Sequence, residues 1–192
     1  FSVGLISIFT GLVFTLIITR RLSPEELGTW GLLGSLLVYP LMIQPIIGYW
    51  ATREIARGEK SAKTALLTSG YFSVVGSIVY ILFAYIVSVE SNVSLDILLL
   101  AILLIPIQFI QRALSDINLG WKPHTISFSL VVFESVKIPA GILLVYFLDW
   151  GITGAIITTF IAHLSSIVIL GWYAREKLRE KFQIQYVKKW IK

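Results

Sequence analysis

Within a long apolar run, the stretch VVFESVKIPAG (residues 131–141) holds Glu134 and Lys137 three positions apart. That spacing places a carboxylate and an ammonium on one face of a helix, one turn apart. Such a pair can neutralise itself and lock two helices together. Alternatively, the ammonium can attract an anion while the carboxylate takes and returns a proton. Ser127 and Gly141 extend the same face by seven and four residues. The next apolar run brings Thr159, His163 and Ser166. Counting outward from Trp150 in the turn Asp149-Trp150-Gly151 puts Lys137 opposite His163 and Glu134 opposite Ser166. At 1.5 Å per residue, Lys137 and His163 then lie about 20 Å from the turn. A histidine there is either a hydrogen-bonded packing residue or a proton relay. Gln44, Gln108 and Gln111 are read as interhelical hydrogen-bonding residues, with Gln44 also a candidate for a polar cavity. Arg20, Arg21, Arg53 and Arg112 fall at the edges of apolar runs, where a guanidinium reaches lipid phosphates.

The elements that must hold these groups are dictated by composition. The 192 residues are 56% hydrophobic and 14% charged, against about 25% charged in a soluble domain. A chain this poor in charge cannot cover a globular surface, so a membrane protein is expected. Crossing about 30 Å of hydrocarbon takes about 20 apolar residues as a helix. Six spans are predicted, at 2–19, 29–50, 64–88, 95–112, 126–148 and 151–172, followed by a basic amphipathic linker over 174–192. The runs lack the polar alternation of a membrane β-barrel, so the fold class is all-α, a polytopic six-helix bundle. A charge at mid-bilayer costs about 2.5–3.5 kcal/mol on insertion scales, so the Glu134–Lys137 face must look into a bundle or a wet cavity.

Charge placement predicts the orientation. Of 16 Lys and Arg residues, thirteen fall on one set of connections: Arg53, Arg57, Lys60 and Lys63, then Arg112 and Lys122, then the seven after Ala174. The opposite set holds Arg20 and Arg21, and Lys137 lies within a span. The basic side is expected in the cytoplasm, with both chain ends. Trp30, Trp50, Trp121, Trp150 and Trp172 fall at or just before span ends, at headgroup level. Glycines such as Gly28, Gly31, Gly34, Gly70, Gly76 and Gly154 permit close helix packing. Pro40, Pro45, Pro106 and Pro139 are candidate kinks. In the tail, Leu178, Phe182, Val187, Trp190 and Ile191 form a candidate apolar face resting on lipid headgroups. Asn92-Val93-Ser94 reads as a glycosylation triplet on the outer side. Phe1 in place of an initiator methionine suggests a piece of a longer or processed chain.

The absences narrow the function. There is no cysteine, so thiolate metal sites are excluded. No metal-ligand spacing, phosphate-binding glycine loop, serine triad or loop-borne carboxylate pair is present. Neither an enzyme nor a nucleic-acid binder is expected, and no cofactor is called for.

Three stretches carry a family resemblance: FTGLVFTLIITRRLSPEELGTWGLL, IIGYWATREIARG and VVFESVKIPAGILLVYFLDWGITGAIITTFIAH. Together they make the chain resemble oligosaccharide flippases of the polysaccharide-biosynthesis type. These belong to the superfamily that includes multidrug and toxin extruders and the peptidoglycan-precursor flippase. The resemblance implies one six-helix lobe of a twelve- to fourteen-span, MATE-like transporter of the cell membrane, with a C-terminal lobe of the same chain as its partner. It implies alternating access for a polyprenyl-pyrophosphate-linked oligosaccharide, driven in many members by a sodium or proton gradient. By the same resemblance Lys137 is the candidate for the pyrophosphate, with Arg20 and Arg53 at the edges. Glu134, His163 and Gln44 complete the cavity candidates. The alternatives are a cation-coupled drug exporter on the same bundle and a membrane enzyme acting on polyprenyl phosphates.

Overall fold

The computed structural model describes residues 2–91 and 93–190, and among these every regular element is helical. In order they are α1 (Ser2–Arg21), α2 (Pro24–Leu41), α3 (Gln44–Ala56), α4 (Ala62–Ser91), α5 (Leu95–Leu100), α6 (Leu104–Trp121), α7 (His124–Gly141), α8 (Gly151–Ala174) and α9 (Ile184–Trp190). A 3-10 turn welds α5 to α6, and a π-helical stretch over Ile142–Phe147 prolongs α7. Among the described residues, four units are long and apolar enough to cross a membrane: Ala62–Ser91, Leu95–Trp121, His124–Phe147 and Gly151–Ala174. A fifth results if α2 and α3, bent by 53°, count as one broken span. Many large apolar side chains point outward, among them Phe9 at 68% exposure and Tyr71 at 68%. An outward-facing apolar surface is what a lipid solvent permits and water does not.

The predicted span over 29–50 is thus two helices rather than one. The chain turns at Met42 and Ile43, between Pro40, inside α2, and Pro45, in the first turn of α3. Each proline withholds a backbone donor, and one at the start of α3 costs that helix nothing because the first N–H groups are unpaired anyway. Pro106 falls in the first turn of α6 and Pro139 within α7, just before the π-helical stretch. The fourth span runs to Trp121 rather than stopping at 112. Asn92 of the glycosylation triplet lies outside the described residues.

One end of the bundle is fastened by the Ser-Pro-Glu-Glu turn before α2. Ser23 accepts a hydrogen bond from the Glu26 backbone, and Glu26 Oε2 accepts one from the Ser23 backbone at 2.9 Å. This reciprocal cap satisfies two of the helix's orphan donors. The other oxygen, Glu26 Oε1, accepts from the Ile152 backbone at 3.1 Å and so caps α8 as well. Gly151 makes the approach possible: its φ of 51° is left-handed, and a Cβ there would strike the Glu26 carboxylate. Asp149, at φ 53°, turns the chain just ahead of it.

Arg112, expected in a basic connection, lies instead within α6, inside the span Leu95–Trp121, because that helix continues past the predicted end at 112. Other cations do fall at opposite ends of the bundle. Arg21 lies over the Tyr146 ring at 3.7 Å, at the Glu26–Ile152 end. At the opposite end, Lys177 lies over the Trp121 ring at 4.4 Å, and the tail touches the α3–α4 connection.

Because one Glu26 carboxylate serves two helices, Glu26→Ala should destabilise the bundle by about 1–3 kcal/mol. Thermal unfolding in detergent checks this, and Glu26→Gln, which keeps one acceptor, should lose less.

Candidate functional site

The seam between α1 and α7 follows from residue sizes. Gly141 lies so near Phe14 that a Cβ would meet the ring at 2.9 Å. One turn before, Lys137 Nζ stands 5.7 Å from the Phe14 centroid and 4.9 Å from that of Phe133. One turn before that, Glu134 Oε1 accepts a 2.8 Å hydrogen bond from Ser7 Oγ. Seven residues separate Ser7 from Phe14, so they present one face of α1 to the face of α7 that carries Glu134, Lys137 and Gly141.

Glu134 and Lys137 form an ion pair with a 2.5 Å N–O distance, and their side chains keep only 6% and 11% exposure. Of the two expectations for this face, a bundle interior and a wet cavity, the packing gives the bundle interior. Ser127, expected on the same face, is exposed. The hydroxyl that α7 does bury is Ser129, which pairs with Ser166 of α8 at 2.9 Å. Gln111 Nε2 of α6 donates to Ser166 at 3.2 Å, so three helices meet at that hydroxyl.

The α7–α8 register therefore differs from the count about Trp150. Ser166 faces Ser129, not Glu134. His163 faces Phe133 at 5.0 Å between ring centroids, whereas the count placed Lys137 opposite it. Two causes add: the turn is centred before Trp150, between Phe147 and Gly151, and the stretch Ile142–Phe147 is π-helical. A wider turn spends extra residues on the same length of axis, and that offsets every later pairing. Lys137 and His163 still share one neighbour, the Phe133 ring. His163 Nδ1 is buried without a hydrogen-bond partner.

The other candidates are dispersed. Gln44 is 2% exposed at the start of α3, where its Nε2 donates to Asp116 Oδ2 at 3.5 Å. Gly48, one turn on, lets that carboxylate lie against α3, since a Cβ there would overlap it. Thr52, a further turn on, donates to the Asp116 backbone carbonyl at 2.9 Å. Arg112 and Gln108 line a cleft of about 310 Å³ with Met42 and Pro45 at the α2–α3 break. Arg20 lines a cleft of about 380 Å³ with Ile142, Tyr146 and Phe147. Arg53 is exposed, lies over the Trp50 ring at 5.7 Å and donates to the Tyr49 hydroxyl at 3.3 Å. The six candidates are not one constellation: Glu134 and Lys137 form a unit, with His163 beside it, and Gln44, Arg20 and Arg53 stand apart.

Three polar residues escaped the sequence reading. Asp116 reads as the flank of a loop when the fourth span is ended at 112. Asn118, fully buried, donates from Nδ2 to the carbonyls of Leu114 and Leu170, tying α6 to α8. Glu54, 2% exposed, looks like one more loop carboxylate among basic residues. Small residues at helical spacing from the polar ones were the available signal, as with Gly48 and Asp116.

The tail makes contacts that the sequence reading did not foresee. Tyr186 and Trp190 are buried while Phe182 is exposed, and Ile191 lies outside the described residues. Trp190 Nε1 and Lys189 Nζ both donate to Glu54, at 3.1 and 2.8 Å, and the Tyr186 hydroxyl donates to Glu59 at 2.8 Å. Burial first, then the Glu59 hydrogen bond and the nearby carboxylates, push the Tyr186 phenol up to about 12, so it stays protonated and donating at neutral pH.

Among the described residues no group of three His, Asp or Glu side chains is placed to hold a metal ion. Comparison with known protein families, curated proteins and solved structures finds no match for this chain.

Removing one member of a buried ion pair strands the other in a low-dielectric interior. Lys137→Ala or Glu134→Ala alone should cost about 3–5 kcal/mol, whereas the double change Glu134→Gln with Lys137→Met should be close to neutral. Thermal unfolding of the three variants reads the difference.

Proposed function

We propose that the chain is one lobe of a membrane flippase for a polyprenyl-pyrophosphate-linked oligosaccharide, working by alternating access. On this reading α1 and the broken pair α2–α3 are the first two of six spans, in a MATE-like arrangement completed by a second lobe of the same protein. The lobe sits in the cell membrane with its basic end, including the tail, in the cytoplasm. The observation that carries the reading is the Ser7–Glu134–Lys137 unit. Among the described residues the buried charged side chains are Glu54, Glu134 and Lys137, and Lys137 is the one cation. An ionisable pair within a membrane-spanning helix suggests a transport function.

The chemistry follows from charge balance. With Glu134 ionised, the pair is neutral and closed on itself. A proton on Glu134 breaks the ion pair and leaves the Lys137 ammonium with an unbalanced positive charge, which attracts the pyrophosphate. Loss of that proton re-forms the pair and expels the anion. Ser7 holds the carboxyl in place in both states, because a hydroxyl both donates and accepts. His163, across the Phe133 ring, is the nearby group suited to carrying the proton. Arg20 and Arg53 serve the anion at the two ends, Gln44 braces Asp116 beside the α2–α3 break, and the gradient that resets the cycle is of protons or sodium.

The broken α2–α3 span supports the same reading. A discontinuous helix in a membrane supplies a place for one half to move against the other.

In the intact protein, Glu134→Gln with Lys137→Met should leave thermal stability within about 1 kcal/mol of wild type and abolish translocation of the lipid-linked oligosaccharide in vesicles. Normal translocation by that folded double variant would remove the pair from the mechanism. Export of cationic dyes with glycan assembly unaffected would move the protein to the drug-exporter branch.

A further inference from the structure

The tail is more than a connection leaving the bundle. After α8 it makes a 3-10 turn over Lys177–Arg179, then runs back along the basic end as α9. Along this path it is pinned at successive points to two different helices. Glu180 accepts a hydrogen bond from the Ala62 backbone at 3.3 Å, capping the start of α4. The Gln183 backbone donates to Thr64 Oγ1 at 3.0 Å, on a threonine that is fully buried. Tyr186 then bonds Glu59 in the α3–α4 connection, and Lys189 and Trp190 close on Glu54 in the last turn of α3.

Glu54 is the decisive residue. At 2% exposure its two oxygens have two donors, and both come from the tail. If the tail left, a carboxylate would remain against apolar side chains with neither partner. The tail therefore cannot detach without a change at Glu54, either its exposure to water or its capture by another donor.

Glu54 also sits where leverage is greatest. α3 begins at the 53° break and ends two residues after Glu54. The break at Met42–Ile43 marks one end of α3; its other end is held on one side by α6, through Thr52 and the close approach of Gly120 to Ile55, and on the other by the tail. A cleft of about 250 Å³ runs between the break and the tail, lined by Ile43, Ile46 and Ile47, by Thr68 and Phe72 of α4, and by Trp190 itself. The cleft is space into which α3 can swing once the indole is withdrawn.

We propose that residues 180–190 form a latch that fixes the position of α3, the second half of the broken span, relative to α4, and that its release from Glu54 frees α3 to pivot about Met42–Ile43. Residues 180–183 fix the latch to α4, and Lys189 and Trp190 grip α3. The latch works the same way whatever the bundle carries, so it stands apart from the flippase reading.

The chain has no cysteine, which allows clean spin-label pairs in the whole protein. Labels at Ala56→Cys, at the end of α3, and Leu119→Cys, on the exposed face of α6, report the position of α3. The wild-type background should give one narrow distance distribution. Glu54→Gln with Lys189→Ala should broaden or shift it and speed tryptic cleavage at Lys188 about tenfold or more, since charge-assisted bonds dominate the closed state. The exchanged pair Glu54→Lys with Lys189→Glu should restore both readouts partly, which separates lost latching from lost folding. A distance distribution and a cleavage rate that ignore all of these changes would overturn the proposal. So would faster cleavage with an unmoved α3, which would reduce the tail to a passive ornament.

Discussion

A carboxylate cannot remain ionised and unpartnered in a low-dielectric interior; buried Glu54 and Glu134 solve that problem in ways that join distant parts of the chain, and half-buried Glu26 does the same at one end of the bundle. Glu26 spreads its oxygens over the backbone donors of Ser23 and Ile152, fastening α2 to α8. Glu134 takes Lys137 and Ser7, fastening α7 to α1. Glu54 takes Lys189 and Trp190, fastening α3 to the tail. In lipid, helices gain little from packing apolar surface against apolar surface, so polar contacts and small residues carry much of the specificity. Gly151 and Gly141 accompany the first two contacts because each lets the partner chain come close.

How far the sequence revealed this depends on which interactions are local. Helical class and apolar spans were legible, because composition acts over short windows; Arg112 was misplaced into a connection because a single charge ended the fourth span too early. The Glu134–Lys137 pair was legible because its spacing is one helical turn. Its Ser7 partner was not, since nothing in one strand of text says which face of α1 meets α7. The α7–α8 register was missed because Trp150 is not the centre of the turn, and because six residues in a π-helical stretch have the same apolar character as six in an α-helix, yet advance the axis less. The break at Met42–Ile43 was half legible. Pro40 and Pro45 signalled a kink, but two prolines five apart do not state whether the helix bends or stops.

The ion pairs that hold a buried carboxylate divide into two kinds. Glu134 and Lys137 lie within one helix, so they stay paired however the bundle moves. Glu54 and Lys189 belong to segments far apart in sequence, so that pair exists only in one arrangement of the chain. The first kind is suited to a change of protonation at fixed geometry, the second to a change of geometry. A protein that must both bind and rearrange needs both, and here they occupy different helices. Asp116 against Gly48 and Gln44 couples the fixed α6 to the start of α3, and so lies beside the pivot.

The length of α4 sets the surroundings in which the tail contacts operate. Its 30 residues span about 45 Å, while the hydrocarbon layer is about 30 Å thick. The helix must tilt, overhang, or do both. Its first turn carries Ala62 and Thr64, the two residues bonded to Glu180 and Gln183. Both residues are fully buried, so the tail covers the very turn of α4 that extends past what a straight crossing needs. The surplus length of α4 thus has a use inside the fold: it is the post to which residues 180–183 are tied.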